Sequence, residues 1–146
     1  MAGSTVLAAE QRVGSRRGTS RIGTAVHTDT FDRYVIVVHT SIPIDPECYD
    51  EAIELIEDLT ERSRREEGAV RYRATTDITD PYTIRFFEQY EDEAAVQAHT
   101  ETEYYREFND RLPGLVDGHI ETIQFVTDEP PETYRFDAEE LTQGEP

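Results

Sequence analysis

Two stretches of this 146-residue chain carry side chains suited to acid–base chemistry. FEQYEDEAAVQAHTETEYYREF, residues 87–108, holds Glu88, Tyr90, His99, Tyr104 and Tyr105, and RYVIVVHTSI, residues 33–42, contains His39. Histidine has an ordinary pKa of about 6.5, so either imidazole could take a proton from a substrate near neutral pH. Equally, a histidine among apolar residues often only satisfies a core, and one on a half-polar helix is often simply solvated. Glu88 shares its strand face with Ile84, Phe86 and Tyr90, and a buried carboxylate must find a partner or take up a proton. Two readings stay open for it: an ion pair with Arg71, Arg73 or Arg85, or a pocket carboxylate that orients a histidine or a substrate hydroxyl. Tyr72, Tyr90, Tyr104 and Tyr105 could line an aromatic pocket with polar tips, or pack as ordinary core.

Other chemistries find little support. The four histidines, 27, 39, 99 and 119, are well separated, without H-x-x-x-H or H-E-x-x-H spacing, and there is no glycine-rich phosphate loop or nucleophile elbow. No metal, nucleotide or flavin is therefore expected. The single cysteine, Cys48, excludes an internal disulfide and a cysteine-cluster metal site, and it has no histidine nearby to activate it.

Charge narrows the partners. The chain has 14 basic and 32 acidic residues, net −18, and every basic residue is arginine. Such a surface repels nucleic acid and anionic membranes. An acidic, lysine-free composition points to a salt-loving organism, because near molar salt the Debye length falls to about 3 Å and carboxylate repulsion is largely screened. Arg16 and Arg17 form a twin-arginine pair, but GTSRIGTAVHTDT follows with no apolar export segment, and no run approaches membrane-spanning length. A cytoplasmic location is expected.

The positioning elements follow from periodicity. Residues 1–32, rich in Gly, Ser, Thr and Arg, predict a flexible basic tail. The run 33–42 is apolar on both alternating faces, Val35, Val37 and His39 on one and Ile36, Val38 and Ile42 on the other, which predicts a strand covered on both sides. Asp45 as N-cap and Pro46 at the first helical position open a helix whose buried stripe is Ala52, Leu55, Ile56 and Leu59, with Gly68 as its stop. AVRYRATTDI, residues 69–78, predicts a strand with Val70, Tyr72 and Ala74 on one face, and YTIRFFEQYE, residues 82–91, another. Asp92 caps a second helix, with a break near Thr100–Glu103 and Pro113-Gly114 as terminator. HIETIQFVT, residues 119–127, is the last strand, and 128–146 is an acidic, proline-bearing tail with a short YRF segment at 134–136.

The order β-α-β-β-α-β predicts an α+β ferredoxin-like fold over residues 33–127, a four-stranded antiparallel sheet with two helices on one face. Two helices cover only that face, yet the first strand is apolar on both. A second copy stacking its sheet about 10 Å away would cover the other, giving a homodimer in the form of a dimeric α+β barrel.

At this point the chain resembles the antibiotic biosynthesis monooxygenase domains, quinol monooxygenases included, over roughly Arg33 to Thr127. Glu66-Glu67-Gly68-Ala69-Val70-Arg71-Tyr72 is similar to the family's E-P/E-G entry into the second strand. The run from Glu88 to His99 follows its E-x-W-x-D-x-x-A-x-x-x-H pattern, with Tyr90 in place of the usual Trp. Tyr104 stands where many members carry a second histidine, and Asn109 where haem-degrading relatives place an iron ligand. The resemblance implies a cofactor-independent monooxygenase in which a quinol, phenol or anthrone loses a proton and its electron-rich anion reacts with O2. It would use His99 or His39 as base, with Tyr72, Phe86, Glu88, Tyr90 and Tyr104 holding the aromatic ring. A non-catalytic small-molecule binder or stress-related protein and an isomerase are the alternatives on the same scaffold.

Overall fold

The computed structural model describes residues 35–142; the expected basic tail, 1–32, and His27 lie outside them. Strand β1 (Val35–Pro43) is followed by a 3-10 turn (Pro46–Cys48) that runs into helix α1 (Tyr49–Ser63). Asp45 caps that turn through Glu47 N (2.9 Å). Ala52, Leu55, Ile56 and Leu59 form the buried stripe of α1, as their spacing predicts. Then come β2 (Ala69–Thr76), β3 (Thr83–Tyr90), α2 (Glu93–Thr100), α3 (Glu103–Arg111) and β4 (Glu121–Thr127).

The strands form one antiparallel sheet in the order β2-β3-β1-β4, the ferredoxin-like α+β arrangement. The second helical segment is divided where the sequence suggests a break. Asp92 caps α2 through Ala95 N (2.8 Å), while Thr102 ends it by donating its hydroxyl to the His99 carbonyl (2.7 Å) and caps α3 at Tyr105 N (3.3 Å). One threonine, two residues beyond one helix and at the foot of the next, thus makes two rods, not one.

Register separates the sheet's two faces. Beneath the helices, one row runs Tyr72–Glu88–Val38–Gln124 and the next Ala74–Phe86–Thr40–Thr122. On the other face the rows are Arg71–Gln89–Val37–Phe125 and Arg73–Phe87–His39–Ile123. Among the described residues no helix covers this second face, and Phe87, Ile123 and Phe125 are exposed on it.

Two local expectations are corrected. Val70 does not share the Tyr72 face: the register shifts between Ala69 and Arg71, and Val70 is exposed in the resulting bulge. Gly68 does not stop α1, which ends five residues earlier at Ser63. What Gly68 supplies is close approach, since a Cβ there would lie 2.3 Å from Ala95 Cβ. Its carbonyl accepts from Glu91 N (3.0 Å), which clamps the turn before β2 onto the start of α2.

Beyond β4, Arg71 Nη2 donates to Thr133 Oγ1 (3.3 Å), while Tyr134 and Phe136 remain exposed. No helix among the described residues is long and apolar enough to cross a membrane.

Candidate active site

His99 projects from α2 into the layer between helices and sheet and is wholly buried. Its Nδ1 lies 2.9 and 3.1 Å from the two carboxylate oxygens of Glu66, on the turn that Gly68 clamps against Ala95. A carboxylate can only accept, so Nδ1 carries the proton, and the Nε2 of the neutral ring is an acceptor. That Nε2 is buried and has no hydrogen-bond partner among the described residues. Around the ring stand Tyr105, Tyr72 and Tyr90, with centroids 4.7, 5.4 and 5.6 Å from its own.

Tyr72 and Tyr105 also line a cavity of about 430 Å³, its open mouth included. Its floor is the sheet, with Val38, Thr40, Ile42, Phe86, Glu88 and Thr122, and its wall is α3 and the following turn, with Phe108, Asn109 and Leu112. The lining is mostly apolar with a few polar groups, the composition of small-molecule sites. Thr40 and Thr122 share a hydroxyl–hydroxyl bond of 3.2 Å, and Asn109 Nδ2 donates to the Tyr105 carbonyl (3.1 Å).

Among the described residues, Glu88 supplies the cavity's one carboxylate. Of its two sequence readings the ion pair is not formed: Arg85 binds Asp77 (2.7 Å), and Arg71 and Arg73 lie in rows of the opposite face. Instead Glu88 accepts from the Tyr90 hydroxyl at 3.2 Å. Burial raises its pKa, opposed by His99 when that ring is protonated and by the Tyr72 and Tyr90 phenols. The Tyr72 phenol is in turn held well above its usual value, first by burial and then by the Glu88 carboxylate.

The remaining candidates divide. Phe86 and Tyr72 line the cavity, and Tyr90 sits behind it, in contact with Glu88 and His99. Tyr104 donates its hydroxyl to Glu66, lies under the Arg62 guanidinium, and is pushed up to about 12 by burial and by that carboxylate. His39 occupies the opposite face of the sheet, between Phe87 and Ile123, so the fold does not bring it to His99. Glu66 is the residue that reasoning from sequence overlooks. It lies 33 positions from His99, and only its place before Gly68 in the turn marks it.

The sequence profile of the antibiotic biosynthesis monooxygenase family matches residues 35–111, just over half of the chain. This chain belongs to that family. Among its relatives, sll1783 of Synechocystis sp. is 35% identical over 81 residues, covering 56% of this chain and 55% of that one, so the chain spans about half the length of that relative. YcnE of Bacillus subtilis, named as a monooxygenase, is 27% identical over 90 residues, 62% of this chain and 95% of its own. A crystal structure from Bacteroides thetaiotaomicron, named for antibiotic biosynthesis monooxygenase, aligns with a TM-score of 0.61 at 25% identity, over 69% of this chain and 96% of that one. Rv0793 of Mycobacterium tuberculosis, at 15% identity and a TM-score of 0.61 over 69% and 99%, shares the fold. The family match thus ends with α3, so it includes the cavity's lining except Leu112 of the following turn and Thr122 of β4.

Proposed function

We propose that this protein is a cofactor-independent monooxygenase that oxidises a quinol, phenol or anthrone-like aromatic with O2. The observation that carries the reading is the unpartnered, buried Nε2 of His99, ringed by tyrosines of which two line the adjoining cavity. A buried acceptor without a partner is costly unless a ligand group meets it. A substrate hydroxyl is the group that would both satisfy Nε2 and lose a proton to it.

In this reading Tyr72, Phe86 and Tyr105 hold the aromatic ring and Glu88 orients a hydroxyl, as donor when protonated. Tyr90 fixes Glu88, and the apolar walls keep water from the anion. Substrate deprotonation leaves an electron-rich anion that passes one electron to O2. Recombination of the radical pair forms a C–O bond to a peroxide, which takes up the proton and loses water by O–O cleavage to leave the quinone or hydroxylated product. A homodimer formed by stacking the open sheet faces completes the assembly, with His39 in that interface. The monooxygenase-named relatives support the class of reaction.

The test is O2 uptake and absorbance change followed together, in molar salt, with a panel of quinols and anthrones and no added cofactor. Protein-dependent uptake is expected. Ligand-dependent stabilisation without uptake across the panel would sink the oxygenase reading and favour a binding protein.

A further inference from the structure

We propose that Glu66 is the positioning residue of His99: it holds the ring as the Nδ1–H tautomer, turns Nε2 to the inner, tyrosine-lined side, and balances the charge formed when Nε2 takes a proton. The inference rests on the reading of His99 as the base. Three observations carry it. Glu66 offers both oxygens to Nδ1, at 2.9 and 3.1 Å, so the one Nδ1–H is shared by the whole carboxylate. Glu66 is itself tied by the Tyr104 hydroxyl, and its backbone by Glu66 N to the Ser63 carbonyl (3.2 Å) and Ala69 N to its own carbonyl (3.2 Å). Glu66 also keeps contact with solvent, whereas His99 has none, so the carboxylate joins a buried ring to the surface.

The step balances without any other reactant. The substrate O–H bond breaks, its proton forms a bond to Nε2, and the electron pair stays on the substrate oxygen. The resulting imidazolium donates to Glu66 from Nδ1. The charged and titratable groups facing this ring are Glu66 and Tyr104 from the outer side and Tyr72, Tyr90, Tyr105 and Glu88 from the inner. Of these, only Glu66 bonds Nδ1. The arrangement has the logic of the carboxylate in a Ser-His-Asp triad, reached here from a turn before a strand.

The experiment reads tautomer and turnover separately. Ring ¹⁵N NMR of His99 without substrate should show Nδ1–H in the wild type and a mixture with Nε2–H in Glu66→Ala. With an active quinol, Glu66→Gln, which preserves shape and removes charge, should lower kcat about 10–100-fold, the usual loss for a partner one bond behind a working group, with KM little changed. Circular dichroism checks that both variants are folded. An Nε2–H ring in the wild type, or a tautomer unmoved in Glu66→Ala, overturns the assignment, as does an unchanged kcat in Glu66→Gln. If no substrate is ever turned over, the oxygenase reading fails while the NMR spectra still decide what Glu66 does.

Discussion

Tyr72 and Glu88 stand directly opposite one another across β2 and β3, both buried on the cavity side of the sheet. Burial makes ionisation of both harder; Glu88 adds to that effect on Tyr72, whereas the Tyr72 phenol favours the charged form of Glu88. Because Glu88 has a folded pKa above its ordinary 4.5, the native state binds the extra proton. Its contribution to stability is full below the unfolded value and is lost as pH rises through the folded one. Glu88→Gln should therefore gain on the wild type as pH rises, by about 1–3 kcal/mol once Glu88 is ionised. Urea unfolding at several pH values checks this; a constant difference from pH 4 to 8 would remove burial of that charge as a cause.

The two histidines should separate cleanly. His99→Asn should reduce turnover of an active quinol by about 10²–10⁴-fold. His39→Asn, on the far face of the sheet, should leave the chemical step within a fewfold once the oligomeric state is matched. Equal loss in both variants would contradict a single base at His99.

Gly68→Ala places a methyl 2.3 Å from Ala95 Cβ. Overpacking of this kind costs about 1–3 kcal/mol, and moving the turn should also pull Glu66 from His99. Denaturant unfolding should show the loss, and Ala95→Gly in the same chain should restore much of it. Full stability in Gly68→Ala alone would show that the turn yields without cost.

Phe87 lies at the centre of the uncovered face, flanked by His39 and Arg73. Phe87→Asp should convert a dimer to monomer at micromolar concentration without touching the cavity, as sedimentation velocity would reveal. A wild-type protein that sediments as a monomer would refute the sheet-stacked assembly.

Salt should stabilise the chain. With a net charge of −18, screening between 0.1 and about 2 M KCl should raise stability by about 1 kcal/mol or more, several degrees in Tm. Equal melting temperatures across that range would count against adaptation of the surface to high salt.

Much of this frame is legible from side-chain periodicity, because alternation in β1 and the stripe in α1 are each imposed by a face that must be buried. The break after α2 is legible too, since Thr102 is a capping residue in the middle of a helical run. What local pattern cannot convey is pairing across the fold. Val70 reads as an inward residue until the bulge moves it out. Glu88 sits near three arginines in sequence, yet sheet alternation sends Arg71, Arg73 and Arg85 to the other face. Glu66 and His99 meet only because Gly68 lets one turn press on one helix, a contact with no periodicity to announce it.

Thr102 gives the site a division of labour. The helix carrying His99 is fastened to the Glu66 turn, while Tyr105, Phe108 and Asn109 ride on a separate short rod that begins at the threonine's cap. Phe108 and Asn109 on this second rod shape the cavity, while Tyr104 and Tyr105 on the same rod keep to Glu66 and the imidazole. A lineage built on this plan can thus remould the cavity through drift at Phe108 and Asn109, keeping the imidazole and its carboxylate as inherited.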